Sequence, residues 1–185
     1  MGMKQQRGFT LLLAALIASI VLAVGAAIFS IAQKQLVLSA IGRDSQFAFY
    51  AADTAAECAL YWDFRCNYFA STTAGINPTC NNPDPVCDGQ RMAPFNPDRP
   101  ATPSYPYTMT SAKMDLFLDV ASASGYCADV SVEKCRGTFT ANGECTLGAS
   151  TDAVRTVIHA NGYSTNCAAV LSSDRALQRS VELHY

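Results

Sequence analysis

The chain has 185 residues, with 13 basic against 15 acidic side chains, a formal net charge of −2 and 50% apolar residues. That length allows one modest domain beside any membrane segment. The charge balance excludes a general nucleic-acid binder, which would carry a clustered basic face, so no nucleic-acid partner is expected.

Residues 1–8 form a short leader in which Lys4 and Arg7 are the only charges. Phe9–Ala32 then runs for 24 residues without a charge, and its only polar side chains are Thr10, Ser19 and Ser30. At helical rise this spans about 36 Å, against a hydrocarbon core of about 30 Å. Thirteen of the residues are Leu, Ile, Val or Phe, which favours insertion by at most about 4–8 kcal/mol. With two basic residues before the run and no acid there, the N-terminus stays cytoplasmic and the rest is exported.

Three fates are compatible with such a segment. It could be a signal peptide cut at a small-residue triplet such as Val24-Gly25-Ala26, although its apolar run exceeds the usual 7–15 residues. It could be a plain single-pass anchor. The third fate follows from a resemblance. The junction Lys4-Gln5-Gln6-Arg7-Gly8-Phe9-Thr10-Leu11-Leu12 resembles the leader of type IV pilins and pseudopilins. The resemblance implies cleavage by a prepilin peptidase between Gly8 and Phe9, N-methylation of Phe9, and retention of the apolar helix in the mature protein. Loss of Lys4 and Arg7 would leave 11 basic against 15 acidic residues, a net charge of −4.

Major pilins carry a glutamate at the fifth mature position, and here that position is Leu13. A buried acid at that depth costs about 2.5–3.5 kcal/mol and is tolerated when a neighbour's terminal amine neutralises it. Leu13 avoids the cost and gives up the pairing, as in PilX-like minor pilins and the tip pseudopilin of type II secretion. This argues against a main filament subunit.

No proline interrupts Phe9–Trp62, so a single helix is predicted: a transmembrane part over 9–32 and an amphipathic continuation over 33–62. Its full length would be about 81 Å, with about 50 Å beyond the hydrocarbon. Phe47, Tyr50 (or Ala51), Thr54, Cys58 and Tyr61 recur at spacings of three and four, predicting the stripe that packs on a sheet. Gly25 and Gly42 each cost about 1 kcal/mol against Ala. Gly25 is open to two readings, a close-packing point between helices or a point that loosens when the helix leaves the bilayer. The aromatic and alanine stretch Phe47–Ala55, with Asp53, again resembles PilX-like proteins.

Residues 63–107 read as an irregular, Pro/Asn-rich cystine loop, because all eight prolines lie between Pro78 and Pro106 and proline lacks the donor that ladders need. Asp84, Asp88 and Asp98 bring calcium to mind, but their spacing matches no EF-hand loop. A surface loop of this kind is where partner contacts concentrate.

Residues 108–185 change to period two. Strands are predicted at Met114–Val120, around Ala128–Glu133, at Gly137–Ala141, at Val154–Ala160 and at Leu177–Tyr185. Asn142-Gly143 and Asn161-Gly162 read as turns. The expectation is an antiparallel sheet of four or five strands with one face against the helix. The fold class is therefore α+β with a disulfide-tied C-terminal sheet, and the resemblance implies a type IV pilin-like lollipop.

The cysteines, Cys58, Cys66, Cys80, Cys87, Cys127, Cys135, Cys145 and Cys167, are even in number and all on the exported side, which fits disulfides formed in an oxidising compartment. Closeness along the chain suggests Cys58 with Cys66 and Cys80 with Cys87. No pair has C-x-x-C spacing and the two histidines, His159 and His184, lie far apart in sequence, so neither a metal site nor a cofactor is expected. There is no G-x-S-x-G elbow, P-loop or H-E-x-x-H motif. His159 and His184 fall on strand faces, and no catalytic residue or enzymatic activity is expected.

Three functions fit this reading. The first is a minor pilin, held in the cytoplasmic membrane and inserted at or near the tip of a type IV pilus-like fibre on the cell surface. Its implied partners are other pilin subunits, prepilin peptidase, the inner-membrane assembly machinery and, before assembly, lipid. The second is a pseudopilin of a type II-like secretion system. The third is a membrane-anchored extracellular binding protein that does not polymerise.

Overall fold

A computed structural model describes residues 6–70, 80, 84–92, 94–96, 104–119 and 124–185. The chain divides into two compact units, one ending at Arg43 and the other Asp44–Tyr185. A single helix, α1 (Gln6–Cys66), belongs to both.

In the first unit α1 is the whole of the described structure. It contains an 18-residue window of mean hydropathy 2.8, none of it buried, and is long and apolar enough to cross a membrane. The helix passes unbroken through Gly25 and Gly42, where an added Cβ would meet nothing within 4 Å.

The second unit begins with the rest of α1. The helix runs four residues past the expected end at Trp62 and stops where Asn67 turns to a φ of 51°. Its amide donates to the Asp63 carbonyl at 2.9 Å. This is the left-handed cap that asparagine tolerates and that satisfies an otherwise unpaired carbonyl at the helix end.

Of the predicted stripe, Phe47, Tyr50 (or Ala51), Thr54, Cys58 and Tyr61, the alternative Ala51 is fully buried and Cys58 packs against the core, but the stripe is not centred on the buried face. Tyr50 and Tyr61 are each more than half exposed. Burial falls on Ala48, Ala51, Ala52, Ala55, Ala56, Ala59, Trp62, Asp63 and Cys66, one residue round the helix. Close approach decides the matter. On the facing strand a Cβ at Gly162 would sit 2.1 Å from the Ala48 carbonyl oxygen and 2.4 Å from the Ala52 nitrogen, so backbone meets backbone and only small side chains fit. Asn161-Gly162 is accordingly strand, not the turn its composition suggests. Asn142-Gly143 does turn, with Gly143 at φ 80°.

Seven strands form one sheet in the order β3 (Phe95–Asn96), β4 (Tyr107–Ser111), β6 (Ser124–Phe139), β8 (Val154–Tyr163) and β9 (Gln178–His184), with β5 (Met114–Asp119) and β7 (Cys145–Leu147) also paired to β6. All pairings are antiparallel. The two strands expected at 128–133 and 137–141 are one 16-residue strand, which explains why the sheet is wider than four or five strands: β6 is long enough to serve four neighbours. On its inner face Ala128, Val130 and Val132 are fully buried beside Ile158 and Ala160 of β8. In β5 Met114 and Leu116 are buried as the alternation predicts. Phe117 then takes a φ of 54° and the register slips before Asp119. The side chains of Leu118 and Val120 lie outside the described residues.

Residues 63–107 are not wholly irregular. They hold the end of α1, a two-stranded hairpin of β1 (Val86–Cys87) and β2 (Gln90–Arg91), and β3. Trp62 Nε1 donates to the Val86 carbonyl at 3.2 Å. Phe69, Met92 and Phe95 fill the core behind it.

The four disulfides are Cys58–Cys87, Cys66–Cys80, Cys127–Cys167 and Cys135–Cys145. They replace the neighbour pairs Cys58–Cys66 and Cys80–Cys87. Eight residues apart on one continuous helix, Cys58 and Cys66 are separated by about 12 Å, too far for Cα atoms that a disulfide holds at about 4.4–6.8 Å. Each must therefore reach into the segment that follows.

Candidate functional site

Three features of the described residues carry polar or apolar chemistry beyond ordinary packing. The first is an ion pair under the sheet. Lys134 sits on β6 opposite Thr156 of β8, both on the inner face, where the pattern otherwise places Val130, Val132, Ile158 and Ala160. The last turn of α1 presents Asp63 at a position whose helical neighbours are Ala59, Trp62 and Cys66. The Lys134 ammonium donates to Asp63 Oδ2 and, at 2.8 Å, to Thr156 Oγ1. The Tyr185 hydroxyl donates to the same Asp63 oxygen.

Asp63 and Lys134 are both more than nine-tenths buried, and Asp63 Oδ1 has no hydrogen-bond partner among the described residues. Burial lowers the Lys134 pKa, and the Asp63 carboxylate opposes that by its charge and hydrogen bond. Burial, reinforced by the same carboxylate, pushes the Tyr185 hydroxyl far above its ordinary value. The group borders a cleft of about 470 Å³ also lined by Asn67, Tyr105 and Tyr107. Chemically it is a clamp: the ammonium and hydroxyl protons are both directed at one carboxylate oxygen, and helix end, strand β6 and Tyr185 are fixed together.

The second feature is apolar. Phe64, Tyr61 and Tyr185 remain 79%, 55% and 43% exposed and, with Leu60 and Leu183, line an open groove of about 610 Å³ beside the clamp.

The third lies on the outer face of β8 and β9. Glu182 stands opposite His159 in the register, and His184 is two residues further along β9. His184 Nε2 lies 2.5 Å from Glu182 Oε1, and His159 Nδ1 lies 3.5 Å from Oε2. The hydrogen bond with His184 is the main cause of a lowered Glu182 pKa. All three side chains are roughly half exposed. The two histidines are on the strand faces foreseen for them, but they meet at one carboxylate, which their separation in sequence gave no means of foreseeing.

Among the described residues the one group of three potential metal ligands whose donor atoms all lie within 4.8 Å of one another is Asp115, Cys127 and Cys167. Both sulfurs are taken by the Cys127–Cys167 disulfide, and Asp115 Oδ1 accepts the Cys167 amide at 2.6 Å. Those atoms fit no ion. Of the loop carboxylates, Asp84 pairs with Arg91, and Asp88 Oδ2 accepts the Phe117 amide at 2.6 Å. Asp98 lies outside the described residues.

Gly8 and Phe9 lie in the helical backbone near the start of α1, and Leu13 is 48% exposed. Neither Asp63 nor Lys134 was singled out by the sequence reading, although a signal existed. Each is a charge at an apolar position of a pattern, Asp63 in the small-residue stripe of α1 and Lys134 in the alternation of β6. No family model, curated protein or solved structure matches the chain.

Proposed function

We propose that this chain is a minor pilin-like subunit, at the tip of or accessory to a type IV pilus or a related filament, acting in assembly and adhesion rather than in turnover of a substrate. The observation that carries the reading is that one helix serves two purposes. Its first half exposes the large apolar side chains from Phe9 to Ile41, and its second half buries one face in a disulfide-tied domain. An apolar surface of that extent needs lipid or other chains around it. Before assembly the segment spans the cytoplasmic membrane with the N-terminus inside. Afterwards the same surface packs against the helices of other subunits on the outside of the cell. Leu13 in place of an acid supports an accessory place over that of the main subunit. Prepilin peptidase and the inner-membrane assembly machinery are the partners this life cycle requires.

The mature N-terminus tests the reading. Mass analysis of the protein from cells with prepilin peptidase should find methylated Phe9 and loss of residues 1–8, and cells without the enzyme should retain the leader. An intact Met1 in the presence of the enzyme, or a cut beyond Gly25, would remove both filament readings and leave the anchored or secreted binding protein.

A further inference from the structure

We infer that Lys134 and Asp63 condense into an isopeptide bond, the lysine Nζ joined to the aspartate Cγ with loss of one water. The inference is independent of the filament reading. It rests on which hydrogen bonds the buried pair can and cannot make. An ammonium offers three protons and a carboxylate two oxygens. Among the described residues, the Lys134 ammonium donates to Asp63 Oδ2 and, at 2.8 Å, to Thr156 Oγ1, and its third proton meets no acceptor. Asp63 Oδ2 also takes the Tyr185 proton, whereas Oδ1 takes none. A secondary amide has one N–H and one oxygen. Thr156 Oγ1 and the Tyr185 hydroxyl supply one acceptor and one donor. The surroundings thus match the condensed product, and they leave the ion pair with an unmet proton and an unmet oxygen, both costly when buried.

The step needs no further reagent. The ion pair is the form in which the chain folds, and the amide accumulates from it. Burial lowers the Lys134 pKa against the opposing pull of Asp63, which favours the neutral, nucleophilic amine. An amine hydrogen-bonded to a carboxylate oxygen lies roughly 3.5 Å from the carboxyl carbon, the separation of a near-attack pair. The nitrogen lone pair makes the new C–N bond. Two of the three ammonium protons pass to Oδ1, one before attack and one from the tetrahedral adduct. The Cγ–Oδ1 bond then breaks with its electron pair, and Oδ1 leaves as water. One proton stays on the amide nitrogen, and the two opposite charges cancel. Oδ2 holds the negative charge of the adduct and becomes the carbonyl oxygen. The Tyr185 hydroxyl already donates to Oδ2, so it stabilises that charge as it develops. The product adds a tie the disulfides lack. Two disulfides lie within 58–87 and two within 127–167, so none joins α1 to β6. The amide does so across 71 positions.

Mass analysis of the full-length chain, exported, purified in detergent with its four disulfides formed and then incubated at neutral pH, tests the bond. The folded chain should become lighter by one water. After reduction, a tryptic digest should contain one branched peptide, 44–65 joined to 114–136, with cleavage blocked at Lys134. Lys134→Arg keeps the charge but offers no amine, and neither it nor Asp63→Ala should give that peptide. Tyr185→Phe should slow its accumulation about 100-fold in chain that has formed all four disulfides, and an unchanged rate would overturn the role given to the hydroxyl. Absence of the branched peptide from the parent chain with its disulfides formed would overturn the inference. So would a one-water loss that maps to another site, as succinimide formation at an aspartate gives, or that persists in Lys134→Arg.

Discussion

The residues before Arg43 and those after it solve the problem of apolar surface in opposite ways. In the first unit every large apolar side chain from Phe9 to Ile41 is exposed. That stretch of helix is long and apolar enough to cross a membrane. In the second unit the chain covers itself. A stripe of alanines lies against a sheet, four disulfides tie the segments around it, and the buried charges of Asp63 and Lys134 are bonded to one another. One length of helix can thus carry two kinds of stability, one supplied from outside and one built in. A change aimed at either should leave the other intact.

The largest effect should come from unpairing the core charges. Lys134→Met leaves Asp63 buried without its partner and should destabilise the domain by about 3–5 kcal/mol, read by thermal melting, with membrane retention unchanged. Replacing both, Asp63→Leu with Lys134→Met, should recover most of that loss, because an apolar pair of similar volume avoids the desolvation. Failure of the double variant to recover would mean that the pair does more than satisfy itself.

The converse change is Ile20→Arg. A charge near the middle of the apolar run costs about 2.5–3.5 kcal/mol of insertion, so the protein should shift out of the membrane fraction, while its four disulfides should form as before when the purified chain is refolded under oxidising conditions. Non-reducing gel mobility alongside fractionation reads both halves of that statement. Loss of disulfide formation would show that the two units do not behave separately.

A smaller effect concerns alkaline pH and confines itself to the second unit. Burial, with the Asp63 carboxylate beside it, raises the Tyr185 pKa above its ordinary 10.0. The unfolded chain therefore loses that proton first, binds fewer protons than the folded one, and stability falls as pH rises beyond about 10. Lys134 contributes the opposite slope. Its pKa is lowered below 10.5 by burial, so just under that value the unfolded state holds the extra proton and stability rises with pH. Tyr163, raised in the same sense as Tyr185, keeps part of the decline. Tyr185→Phe should cost about 1.5 kcal/mol at neutral pH, as a hydrogen bond to a charged group, and should flatten the decline above pH 10. Denaturant melts from pH 8 to 11 check this, and an unchanged decline in the variant would dissociate Tyr185 from it.

Much of this molecule was legible residue by residue. The uncharged run of Phe9–Ala32 specifies an exposed apolar helix, because no polar partner could be satisfied along it. Strand alternation at Val154–Ala160 and Leu177–Tyr185 matches β8 and β9. The errors share a cause. Spacings of three and four pointed to Phe47, Tyr50 (or Ala51), Thr54, Cys58 and Tyr61 as the packing stripe, yet the approach of Gly162 to Ala48 and Ala52 turns the alanine face to the sheet. Nearness along the chain pointed to Cys58 with Cys66, whereas helix geometry sends each to a different segment. The Asp63–Lys134 pair was visible only as two misplaced charges, because nothing in a single strand or helix says which of its residues will face the other.

By itself, then, the sequence determined the helix, its apolar half, the class of the domain and the oxidation of its cysteines, all of which depend on local composition and period. The tertiary structure alone decided which helical face is buried, which cysteines pair, where Asp63 and Lys134 meet, and that His159 and His184 share Glu182. Those are matters of separation in space between residues 10 to 122 positions apart, and no local pattern records them.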